Sequence, residues 1–181
     1  MEEHYLDDIG EESKFKKILK RVATITIGIF MILLLLTQFG LGPHIVDVLS
    51  GRLASDILDQ DLVITLDDGT RIQFDGTMYN ELLAHYDSKG TSETKVCLIG
   101  DKIGIYYFLD EIYFPEIFAQ DVFSVTAQVC PENTLVPLHT HPEGRCLYSR
   151  QDSRSQKSFK KINPDAISGV MCSRTRFGFY R

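Results

Sequence analysis

Between Val22 and Pro43 the chain carries no charged residue, and the middle of that stretch, Ile25 to Leu36, is almost wholly aliphatic. About 20 helical residues cross the ~30 Å hydrocarbon core of a bilayer, so residues 22–43 are read as a transmembrane helix. A cleaved signal peptide is the rival reading. Signal cores, however, run to roughly 7–15 apolar residues before a small-residue cleavage site, and Leu-Thr-Gln-Phe-Gly-Leu-Gly-Pro at 36–43 offers none. A buried core helix would keep a polar face, which this run lacks.

Lysine and arginine asymmetry sets the orientation. Lys14, Lys16, Lys17, Lys20 and Arg21 precede the run, whereas Arg52 alone follows it within a comparable window. The N-terminus is therefore expected in the cytoplasm and the C-terminal bulk outside, with the lipid bilayer as a partner. Residues 1–21 read as an acidic, then basic, cytoplasmic tail, and residues 44–60 as a connector of unassigned structure. Residues 61–181 suit a single domain. The net charge of −6 and the lack of a basic stripe argue against a nucleic-acid partner.

Within the domain, 62–66 and 71–74 are β-branched runs joined by Asp67-Asp68-Gly69, which predicts a hairpin. A helix follows, capped by Thr77 and ended by Lys89-Gly90. Strands are expected at 94–99, 103–109, 122–129 and 135–141, then a polar helix from Ser149 to Lys161, then strands at 166–172 and 174–180. The order defines an α+β fold with a mixed sheet flanked by helices. The Tyr- and Phe-rich stretch 105–123 is expected to fill the core. Cys97, Cys130, Cys146 and Cys172 contain no Cys-x-x-Cys pair. Disulfides are permitted outside the cell, yet Cys97 and Cys172 lie in apolar runs and are expected as small buried side chains.

The chemistry concentrates between His139 and Asp152. On a strand, side chains at i and i+2 share a face, so His139 and His141 can reach one ion. Ser149 is a good N-cap, which puts Asp152 in the first helical turn, able to face the strand end. Two imidazoles and one carboxylate leave an open position on a tetrahedral zinc, the pattern of a catalytic site. One Zn2+ with a bound water is the cofactor expected.

His-x-His-Pro at 139–142, six residues, then Ser-x-x-Asp at 149–152 resembles the JAMM motif of the JAMM/MPN zinc metallopeptidases. Upstream, Glu93 opens Glu-Thr-Lys-Val-Cys-Leu-Ile-Gly, similar to that family's Glu-led strand, although Val96 replaces its usual inner glycine. The resemblance covers about 76–181 and implies an MPN-like fold of the compact prokaryotic type. It further implies His139, His141 and Asp152 as zinc ligands, Glu93 as general base and Ser149 as the group steadying the tetrahedral intermediate. Cys146 falls where several members carry cysteine, without an assigned role.

The activity so implied is that of a membrane-anchored zinc metallopeptidase or isopeptidase acting on a protein or peptide substrate, of which a ubiquitin-like conjugate is one candidate. A non-catalytic scaffold is the alternative, since the family includes members without ligands. A DNA-repair-associated group with a similar motif fits poorly with an apolar helix and acidic charge.

Overall fold

A computed structural model describes residues 14–38, 41–121, 124–141, 144 and 146–181. The acidic tail 1–13, Gly40, the first two residues of the expected strand 122–129, and Pro142, Glu143 and Arg145 lie outside the described residues. The chain divides into two compact units, Met1–Ile45 and Val46–Arg181.

The first unit is dominated by α1 (Lys14–Gln38). Over Phe15–Gln38 it is long and apolar enough to span a membrane, and none of that stretch is buried. The hydroxyls of Thr24, Thr26 and Thr37 donate to the carbonyls of Lys20, Val22 and Leu34 one turn back. These polar groups are thereby satisfied within the helix itself. The described helix runs through the basic segment 14–21 as well as the expected apolar span as far as Gln38. Pro43, expected to terminate it, instead sits in the first turn of a second helix, α2 (Leu41–Ala54), where no backbone donor is needed. The connector 44–60 therefore has structure, α2 followed by the short β1 (Asp56–Ile57).

In the second unit, β2 (Val63–Thr65) and β3 (Arg71–Phe74) form the expected hairpin. The helix α3 (Gly76–Lys89) is capped not by Thr77 but by Asp75, whose carboxylate accepts from the Thr77 and Met78 amides. A carboxylate at this position also complements the helix dipole. Next come β4 (Lys95–Ile103), β5 (Tyr106–Tyr113), β6 (Ile117–Gln120), β7 (Val125–Ala127) and β8 (Thr134–Thr140). The helix α4 (Arg150–Phe159) and strands β9 (Ser168–Ser173) and β10 (Arg176–Tyr180) complete the fold.

Two expected boundaries move. β4 runs past its expected end at Ile99 to Ile103, because Asp110 of β5 is the extra residue of a bulge that lies opposite Gly100. A Cβ there would collide with the Phe108 carbonyl, so the bulge needs glycine. The expected strand 122–129 shrinks to β7, which pairs with β6 in a separate two-stranded ribbon that sequence alone did not suggest.

The main sheet runs β1-β10-β9-β8-β4-β5-β3-β2. Pairs β8–β9 and β3–β5 are parallel and the others antiparallel, so this is an α+β protein with a mixed sheet. Alternation decides the faces. Val96, Leu98, Val136 and Leu138 join Met78, Tyr79 and Leu82 of α3 in the large core. Cys97 packs with Cys130, Ala166 and Phe159 of α4 on the other face. Along Lys95–Leu98 of β4 and from Val136 onward in β8, even-numbered residues thus point to α3 and odd-numbered ones to α4.

Two expectations about side chains are overturned. Cys97 and Cys172 are buried, but as halves of the disulfides Cys97–Cys130 and Cys146–Cys172. Partners 33 and 26 residues apart are brought together only by the sheet. In the aromatic stretch Tyr107 is buried, whereas Tyr106, Phe108, Tyr113, Phe114 and Phe118 are exposed. Tyr106 and Phe108 lie on a face that no described helix covers, whereas past the irregularity at Asp110 the alternation shifts and Ile112 packs against the core.

Candidate metal centre

β8, α4 and β9 form a parallel crossover. Such units expose their functional edge where the first strand ends and the helix begins. His139 and His141 lie at that strand end and Asp152 in the first turn of α4. The backbone there is pinned from both sides. The Thr140 amide donates to the Thr94 carbonyl (2.9 Å), and the His141 amide donates to Met171 on β9 (2.9 Å). Because Thr140 is buried on the α3 face, its two neighbours emerge together on the α4 face.

Glu93 sits two residues before β4, its amide donating to the Asp121 carbonyl (2.8 Å). Being odd-numbered, it emerges on the same face as the histidines. His139 Nε2 lies 3.2 Å from His141 Nε2 and 3.3 Å from Asp152 Oδ1, and His141 Nε2 lies 3.4 Å from Glu93 Oε1. The side chains of Glu93, His141, His139 and Asp152 keep only 6, 12, 15 and 17% of their surface. They are therefore shielded from bulk water on all but the cleft side.

His139, His141 and Asp152 each offer one donor atom, all within 4.8 Å of one another. Zinc bonds of about 2.0–2.1 Å put tetrahedral ligand atoms about 3.3 Å apart. The two donor separations that involve His139 match that edge, so the donor set and its spacing fit one zinc ion.

Ser149 and Asp152 form a reciprocal capping box. The Ser149 amide donates to Asp152 Oδ2 (2.7 Å), and the Asp152 amide donates to Ser149 Oγ (3.2 Å). One carboxylate oxygen is thus held by the helix start while the other faces His139. Burial pushes the Asp152 carboxyl up, but hydrogen bonding and charge from His139 and the bonds from Ser149 outweigh it and bring it down to about 2. The group is ionised, as a ligand must be. Ser149 Oγ accepts the Asp152 amide, and its hydroxyl carries one O–H donor.

These residues line a cleft of about 730 Å³. One wall is α4, the other the β6–β7 ribbon with Val125 and Ala127, and the far end is apolar, with Val129, Pro137, Phe159 and Ile162. Sequence reasoning missed Lys95 and Asp47, which also line the cleft. Lys95 could have been found by parity, being two residues from Glu93. Nothing local marks Asp47. The Cys146–Cys172 bridge ties the segment between His141 and Ser149 to β9.

No protein-family model matches the sequence, and no curated protein matches it.

Proposed function

We propose that this chain is a membrane-anchored zinc hydrolase of the JAMM/MPN type that cleaves a peptide or isopeptide bond. The observation that carries the reading is the donor triad His139, His141 and Asp152, within 4.8 Å of one another beside the carboxylate of Glu93. In this reading the two histidines and Asp152 hold the ion. When bound, zinc supplies Lewis acidity, lowering the pKa of a water to about 7 and polarising the scissile carbonyl.

Glu93 takes the proton of the attacking water at its carboxylate and delivers it to the leaving amine. Glu93 is buried beside His141, which keeps its carboxylate at the metal donors. Ser149 turns its O–H toward the carbonyl oxygen as negative charge develops there, a contribution of about 3 kcal/mol in comparable sites. The capping box keeps Asp152 from swinging away.

Two disulfides are compatible with an oxidising compartment. That is the side to which the Lys14–Arg21 charge bias assigns the C-terminal unit, with α1 as the anchor. The substrate is accordingly a protein outside the cytoplasm rather than a cytosolic ubiquitin-like conjugate.

Purified full-length protein in detergent is expected to contain one zinc per chain and to cleave a peptide library, whereas Glu93→Gln keeps the zinc and loses cleavage. Cleavage by wild type and Glu93→Gln alike, or no zinc in either, would sink the hydrolase reading. Protease treatment of intact cells tests the topology, and a protected C-terminal unit would overturn it.

A further inference from the structure

We propose that Lys95 turns the cleft beside the candidate zinc ligands into a carboxylate-binding subsite, so that the substrate carries an acidic side chain or a free C-terminal carboxylate next to the bond cut. The proposal rests on the hydrolase reading only for that last clause. Lys95 opens β4 and pairs directly with His139 across the β4–β8 ladder. Directly opposed residues of antiparallel strands stand about 5 Å apart. The ammonium therefore belongs to the same cleft wall as the metal donors, within one or two residues of the reacting carbonyl for an extended substrate.

The position is not a surface lysine reaching for water. Lys95 is half-buried, and its Nζ donates to the Gln128 carbonyl (3.2 Å) just beyond β7, which holds it over the cleft. An ammonium has three donors, so two remain for a ligand. Among the described residues no carboxylate pairs with it. The two cleft acids nearest the reacting centre are already engaged, Glu93 with His141 and Asp152 with His139.

Charge counting reinforces the point. A zinc ion balances Glu93 and Asp152, which among the described residues leaves Lys95 as a cation opposed in the cleft wall only by Asp47 and joined by Arg154 on α4. A partly desolvated cation without a counter-charge is unfavourable, and an incoming carboxylate relieves it. Beyond Lys95 the cleft becomes apolar at Val129, Pro137 and Phe159. The residue flanking the substrate carboxylate is thus expected to be apolar.

The test uses full-length protein in detergent and fluorescent peptides identical except for Glu against Gln at one position, and for a free against an amidated C-terminus. Binding is measured by polarisation after metal removal, and hydrolysis after zinc loading. Wild type should bind one carboxylate-bearing form about tenfold more tightly than its neutral partner. Whichever pair shows the preference identifies the source of the carboxylate.

Lys95→Met should erase the preference, Lys95→Arg should keep it, and Lys95→Glu should favour a Lys-bearing peptide. Undiminished preference in Lys95→Met overturns the proposal. So does an equal fall in kcat for every peptide, which would place Lys95 on the developing oxyanion. Binding preference without any hydrolysis would leave the subsite standing and remove the hydrolase, whereas hydrolysis blind to charge would do the reverse.

Discussion

Thr94 and Thr140 clasp each other by two hydrogen bonds, the Thr94 amide donating to Thr140 Oγ1 (2.9 Å) and the Thr140 amide to the Thr94 carbonyl (2.9 Å). Both residues are buried, and each is chain neighbour to a member of the candidate site, Glu93 on one side and the two histidines on the other. The pair fixes the base relative to the ligands. Replacing Thr140 by Val removes the acceptor and leaves a buried amide unsatisfied, a loss of about 1–3 kcal/mol in urea unfolding. Thr140→Ser, which keeps the hydroxyl, should recover most of it.

Ser149 has two roles that one substitution separates. Glycine at an N-cap costs only a few tenths of a kcal/mol, but it has no O–H to donate. Ser149→Gly should therefore unfold at nearly the wild-type denaturant concentration while kcat falls about 100- to 1000-fold. Parallel loss of both would assign Ser149 to the helix alone.

Asp152→Asn keeps the shape of the capping box and removes the charge on the ligand oxygen. Zinc at 100 times its Kd should stabilise the wild-type protein by about 2.7 kcal/mol. Thermal unfolding with and without zinc should show that gain in wild type and its loss in Asp152→Asn and His139→Ala.

His85 is expected to contribute acid sensitivity near neutrality. Its ring Nε2 lies 3.0 Å from Thr94 Oγ1 and the ring packs 4.5 Å from Phe114. Burial, assisted by the charge of Lys89, pushes it below the ordinary histidine value of 6.5. A lowered value in the folded state means a stability contribution that is complete above about 6.5 and lost as pH falls from there through the folded value. His85→Gln should flatten unfolding free energy against pH over that window, and an unchanged slope would show that other groups set it.

Reduction and alkylation of the two disulfides should lower stability by about 2–4 kcal/mol per bridge. Cys146→Ser with Cys172→Ser should also weaken zinc binding, since that bridge tethers the segment joining His141 to Ser149. Cys97→Ser with Cys130→Ser, on the floor beneath α4, should leave zinc affinity nearer to wild type.

The parts of the site that can be read from the chain are those set by short spacing. His139 and His141 share a face because a strand repeats every two residues, and Ser149 and Asp152 meet because a capping box spans three. Lys95 follows from Glu93 by strand parity, but Asp47 and the cysteine partners depend on which elements lie side by side, which no local pattern encodes. The ribbon β6–β7 escaped notice because its four- and three-residue strands are too short to show alternation. The aromatic residues of β5 misled for a related reason. Their composition signals burial, but the helix that would cover their face is absent from that part of the described sheet.

The odd-numbered placement of Glu93, Lys95, His139 and His141 makes the centre a matter of reading frame. Loss of one residue anywhere between Thr94 and Ile99 would rotate part of β4 by half a repeat and send its functional side chains into the α3 core. The register shifts nearby leave β4 itself unbroken, the extra residue being Leu135 of β8 at Leu98/Ile99 and Asp110 of β5 at Ile99/Gly100. Point substitutions can thus retune this chemistry one group at a time, whereas a single deletion would dismantle it whole.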